Sequence, residues 1–295
     1  MVTIFALTAA LLYGSADFLG GVATRRAPVL AVLPLSVGAG AIVILGAALL
    51  SGDPFRTAGL GWGLAGGVAG GVGLIIFYAG LAAGPMSVVA PVSALMSTIL
   101  PVGFAFAEGE RLSAPEYSGA ALCLVAIVLV SSTRATPAAD GGRRRGRIAG
   151  VLAGTGFHGR AVSYGLAAGT GFGLFFLFIR YAGQSGALWP VGSARVTSLV
   201  VVLVVAAVTR TRPVLGRASP RLLAATAGSG VLDATANICY VLATRAGLFG
   251  LAVVLTALYP GITVLLARFV LHERMRGPQR AGLVVAAVGV VLVTV

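Results

Sequence analysis

Apolar stretches about twenty residues long follow one another along the whole chain, and this feature decides which solvent the chain can fold in. About 20 consecutive apolar residues in a helix cross the roughly 30 Å of bilayer hydrocarbon. Such runs occur at 3–23, 29–50, 59–80, 86–107, 117–133, 161–181, 187–208, 221–243, 247–270 and 279–295. One could be the buried core helix of a water-soluble domain; ten cannot all be. Charged residues make up 10% of the 295 and hydrophobic residues 58%, where soluble domains carry about 25% charged. The sequence predicts an all-α polytopic protein of the cell membrane, crossing it many times with the lipid bilayer as its solvent. The first run has no basic residue before Arg25, so it reads as a retained span and not as a cleaved signal peptide.

One long polar connection, RATPAADGGRRRGR at 134–147, divides the chain nearly in half. The predicted organisation is a first five-helix repeat at 1–133, a basic linker and interfacial segment at 134–160, and a second five-helix repeat at 161–295. The halves resemble each other, as a repeat search should test first. FYAGLAAGPMSVVAP (77–91) leads through a proline-containing helix to EGERLSAPEYSGAALCLVAIVLV (108–130), and CYVLATRAGLFGLAVV (239–254) leads through another to HERMRGPQRAGLVVAAVGVVLV (272–293). Tyr13-Gly14 likewise matches Phe172-Gly173. Five is an odd number, so the second copy must enter the membrane in the opposite sense to the first. The predicted fold is therefore ten transmembrane helices in two inverted five-helix repeats, the architecture of many secondary transporters.

The net charge of +13 would suggest a nucleic-acid surface in a soluble protein. Here the arginines concentrate in connections, so no nucleic-acid partner is expected. Under the ten-span count, fifteen of them lie on one face of the membrane and four on the other. The positive-inside rule places the basic face in the cytoplasm and both termini opposite.

An unpaired carboxylate in hydrocarbon is costly, so Asp17, inside YGSADFLGG, should face a water-filled cavity, pair with a cation or stay protonated. Tyr13 lies four residues earlier, on the same helical face. The stretch LDATANICY repeats the pattern with Asp233, Asn237 and Tyr240, and Arg195 is the cation available within an apolar run. These residues, with Tyr259, are the candidates for lining a solute cavity or carrying a proton. Asp17 and Asp233 align with Phe176 and Gly71 in the opposite copies, so the two halves should line that cavity unevenly. Pro91, Pro101 and Pro260 are candidate helix breaks, since each removes a backbone donor, and interrupted helices in corresponding positions point to a midplane site.

Glu110-Arg111 and Glu273-Arg274 fall at helix ends, where neighbour ion pairs fixing loops are expected. His158 and His272 read as interfacial polar residues. Two separated histidines, and Cys123 and Cys239 in apolar runs, assemble neither a metal set nor a catalytic triad. No cofactor is expected. The glycine-rich WGLAGGVAGGVG (62–73) lacks the strand-loop-helix context of a phosphate loop and reads as close helix packing.

YGSADFLGG, NICYVLATRAG followed by LTALYPGITVLLARFVLHERM, and the closing GPQRAGLVVAAVGVVLV resemble the EamA branch of the drug/metabolite transporter superfamily. The resemblance covers the chain except 134–160. It implies a ten-helix, two-repeat permease that moves small metabolites, amino acids or drugs, often outward; the expected partners are a small solute and, where protonation of Asp17 or Asp233 couples the steps, a proton. Members of that family are usually described with both termini in the cytoplasm, the reverse of what the arginine distribution favours. A non-transporting membrane scaffold or sensor would have no central cavity. An intramembrane lipid-modifying enzyme would need a nucleophile, base or metal cluster that the sequence does not assemble.

Overall fold

The computed structural model describes residues 1–52, 55, 57–83, 86–130, 147–183, 188–212, 219–270 and 277–294. Apart from one short 3₁₀ turn, the regular elements among them are α-helices: α1 (Val2–Thr24), α2 (Val29–Leu50), α3 (Leu60–Ala83), α4 (Met86–Ala107), α5 (Ala114–Val130), α6 (Arg147–Gly183), α7 (Trp189–Val208), α8 (Pro220–Ala246), α9 (Phe249–Thr256), α10 (Tyr259–Val270) and α11 (Gly277–Thr294). The basic linker, His272 and the Glu273-Arg274 pair lie outside the described residues, as do the side chains of Pro91 and His158.

Among the described residues, seven stretches are long and apolar enough to cross a membrane: α1, α2, Leu60–Leu81 of α3, Gly159–Ala182 of α6, α7, α8 and Phe249–Val270. The apolar parts of α4, α5 and α11 are shorter. As helices, α4 runs for 22 residues, α5 for 17 and α11 for 18. Two boundaries differ from the sequence reading. Segment 148–160 is continuous with the sixth span in the 37-residue α6; at 1.5 Å per residue that helix outruns the hydrocarbon layer by several turns. The ninth run is two helices, interrupted at Ala257 and Leu258.

Small residues set how the helices meet. Gly63, Gly67 and Gly71 recur every fourth residue and so form one stripe of α3. They lie against Pro190 and Ser193, Ala194 and Thr197, and Ser198 respectively, so α3 and α7 run parallel with touching backbones. A Cβ on Gly67 would fall on the Ala194 carbonyl. Another face of α3 meets α6 in the antiparallel sense, Gly66 against Phe178 and Gly73 against Gly171. Helix α1 packs antiparallel on α8, with Val2 at Gly247 and Ser229 bonded to Ala16. The remaining large contacts join α2 to α7 and α8, α4 to α6, and α5 to α11. Each half of the chain therefore buries its helices mainly against the other half.

Candidate functional site

Helices α1, α3, α4, α6, α7, α8 and α10 line a cavity of about 80 Å³, room for about five waters. Its polar lining is Tyr13 and Asp17 from α1, Ser97 from α4, Arg195 and Ser198 from α7, Asp233 and Asn237 from α8, and Tyr259 from α10. Three hydroxyl-to-carbonyl bonds hold those helices in register around it. Ser229 Oγ donates to the Ala16 carbonyl at 2.8 Å and fixes α8 on α1 one residue from Asp17. Ser198 Oγ donates to the Gly67 carbonyl at 2.8 Å and fixes α7 on α3 one turn from Arg195. Thr263 Oγ1 donates to the Gly14 carbonyl at 3.1 Å and brings α10, with Tyr259, against Tyr13.

Arg195 is 8% exposed and pairs directly with the Asp233 carboxylate through Nη2. Its Nε is buried without a hydrogen-bond partner among the described residues. One turn along α8, Asn237 Nδ2 donates to the Asp233 carbonyl at 2.7 Å, leaving that carboxylate to the guanidinium. Asp17 is half-buried and faces the same cavity, with neither an ion pair nor a hydrogen bond to its carboxylate among the described residues. Counting Asp17 and Asp233 as ionised, the lining carries one negative charge more than Arg195 offsets. Phe172, Phe175 and Phe176 of α6 form an aromatic wall. The Tyr13 ring meets Phe176 and Tyr259 edge-on, with centroids 6.4 and 6.3 Å away.

Six of the seven polar candidates named from sequence meet in this one cavity. Tyr240 does not line it. That ring tilts against Phe176 at 4.6 Å and packs with Ala105, Leu177, Phe249 and Val253, its hydroxyl buried without a partner among the described residues. The candidate helix breaks also separate. Helix α4 continues through Pro101, whereas Pro260 is the second residue of α10, just after the interruption. That is where a helix tolerates proline, because the first-turn N–H groups have no intrahelical acceptor. The phenylalanine wall was missed by sequence reasoning, although Phe176 aligns with Asp17 in the repeat and so pointed to it.

On the side of the cavity toward the start of α1, the Tyr240 cluster fills the space between helices, and an ionic network lies beyond it. Arg180 Nη2 donates to Glu108 Oε2 at 2.8 Å, with Glu110 Oε2 4.0 Å from its other terminal nitrogen. Tyr181 Oη donates to Glu108 Oε1 at 3.0 Å. Glu110 Oε1 accepts the Gly250 N–H at 2.8 Å, capping the first turn of α9, where a carboxylate is favoured by the helix dipole. The Arg180 guanidinium sits 4.3 Å above the Phe249 ring. This corrects the expectation that Glu110 pairs with Arg111: its partners lie 70 or more positions away, on α6 and α9.

Among the described residues no group of three or more His, Cys, Asp or Glu could hold a metal.

A sequence model of the EamA-like transporter family matches residues 1–132 and 159–295, one block in each half. No curated protein matches the chain. Among solved structures, one described only as "Crystal structure of protein" has a TM-score of 0.71 at 19% identity, covering 99% of this chain and 96% of that chain, a likeness of fold.

Proposed function

This chain belongs to the EamA-like transporter family, and on that premise we propose that it is a secondary transporter of the cell membrane, exporting small metabolites, amino acids or drugs by alternating access around the central cavity. The observation that carries this reading is the cavity itself: charge within the bundle, with a carboxylate unpaired among the described residues, lined by helices from both halves. Such groups are costly in a bilayer and are found where they serve a solute or proton path.

The proposed architecture is ten spans in two inverted repeats of five. Its support is the direction of packing. Two hairpin reversals give α3 the same sense as α1, and α6 is antiparallel to α3, so α1 and α6 run oppositely. By the same reasoning α8, antiparallel to α1, opposes α3. The side toward the start of α1 is sealed by the Tyr240 cluster and the Arg180 network, as one end of an alternating-access protein must be. Asp17 is the proposed coupling group. A carboxylate that must release a proton before it engages solute exchanges one for the other, and an inward proton gradient then drives solute outward.

Flux in proteoliposomes against a metabolite panel, with and without a pH gradient, tests this. Gradient-driven efflux is expected, with loss of pH dependence in Asp17→Asn. Absence of flux for every solute class, from protein that remains folded, would favour a non-transporting scaffold.

A further inference from the structure

Within the cavity the charges are not equivalent. Arg195 is already engaged by Asp233, so an anion arriving there would share the guanidinium with a carboxylate while meeting the field of Asp17. Asp17 is the lining charge with no counter-charge among the described residues. Around it stand the faces and edges of aromatic rings: Tyr13 one turn away on α1, Tyr259 against Tyr13, and the α6 phenylalanines opposite. Aromatic faces attract cations through the ring quadrupole, more strongly when water is excluded. The Tyr13 hydroxyl is itself buried without a partner among the described residues. An unpaired carboxylate inside an aromatic enclosure complements one chemical class.

We propose that the solute carried by this cavity contains a positively charged nitrogen that docks on the Asp17 carboxylate among the rings of Tyr13 and Tyr259, with the Arg195–Asp233 pair as a fixed, neutral wall. The proposal rests on the transporter reading and narrows it. The same arrangement disfavours anionic solutes, because the lining cation among the described residues, Arg195, already has its charge offset by Asp233. A neutral solute would leave the ionised Asp17 uncompensated and so could enter only with that carboxyl protonated, outside the exchange proposed for it.

The test uses three aromatic probes of similar size and different charge, benzylammonium, benzyl alcohol and benzoate, on the full-length purified protein. Binding is read as a concentration-dependent rise in melting temperature and by calorimetry. Benzylammonium is expected to bind at least about tenfold tighter than the other two. Asp17→Asn should remove most of that preference, and Asp17→Glu should keep it. The wild-type comparison needs no variant, so a misfolded mutant cannot decide the outcome. Equal binding of all three probes, or preference for benzoate, overturns the proposal. Proteoliposome flux confined to neutral or anionic solutes would also overturn it while leaving the transporter reading intact. Selective binding of benzylammonium without any flux would do the reverse.

Discussion

Arg180 and Glu108 lie 72 positions apart in sequence and join at 2.8 Å, tying the end of α6 to the turn after α4. Their side chains are 26% and 34% exposed, so the pair alone contributes at most about 1 kcal/mol. Its weight comes from company: Tyr181 shares Glu108, and Glu110 joins the same arginine to the first turn of α9. If this network holds one end of the cavity shut, Arg180→Gln should raise the rate at which a membrane-impermeant thiol reagent, added from that side, labels Ser97→Cys in a background lacking Cys123 and Cys239. An increase of about fivefold corresponds to about 1 kcal/mol of lost closure. An unchanged labelling rate would show that the seal lies wholly in the apolar cluster.

The Arg195–Asp233 pair should behave as a unit. Removing one partner from a buried ion pair costs about 3–5 kcal/mol, because the other charge is left uncompensated. Arg195→Met and Asp233→Leu should each lower the melting temperature in detergent markedly, and the double variant should recover much of the loss. Additive losses in the double variant would mean that the two groups contribute independently.

Tyr240 and Tyr13 both bury a hydroxyl without a partner among the described residues, but of the two Tyr13 alone lines the cavity. Tyr240→Phe is expected to leave flux unchanged and stability equal or slightly higher, since it deletes a polar atom without a hydrogen bond. Tyr13→Phe should reduce flux by changing the solute-facing surface. A loss of flux in Tyr240→Phe would place that hydroxyl on the transport path after all.

Gly67→Ala should destabilise the α3–α7 contact by about 1–3 kcal/mol, because its Cβ meets a backbone carbonyl that cannot rotate away. Gly46→Ala in α2 is the control: no atom lies within 4 Å of its Cβ position, and alanine favours helix. Similar melting temperatures for the two variants would contradict the close approach.

Much of this was legible in the sequence because hydrocarbon imposes a length on every crossing and a penalty on every charge within it. Asp17, Asp233 and Arg195 stood out for that second reason, and they converge. The ionic network was not legible. Glu110 stands beside Arg111 in sequence, and nothing local says that its carboxylate turns to Arg180 and the α9 backbone. Proline was an incomplete guide to interruption: α2 and α4 continue through Pro34 and Pro101, while the ninth run divides at Ala257–Leu258. A missing N–H frees a carbonyl but does not determine whether neighbouring helices let the chain bend there. Tyr240 lies outside the cavity because seven residues separate it from Asp233; that is two helical turns, enough to carry it into the neighbouring apolar cluster.

The glycine seam between α3 and α7 also says what the molecule's working parts are. With no side chain on the α3 side of the contact, and Ser198 bonded across it to the Gly67 carbonyl, the two helices have little room to slide past each other and form a single slab assembled from both sequence halves. A polypeptide severed within 134–146 would yield two fragments, neither able to cover its own helices, and each would be an orphan until it met the other.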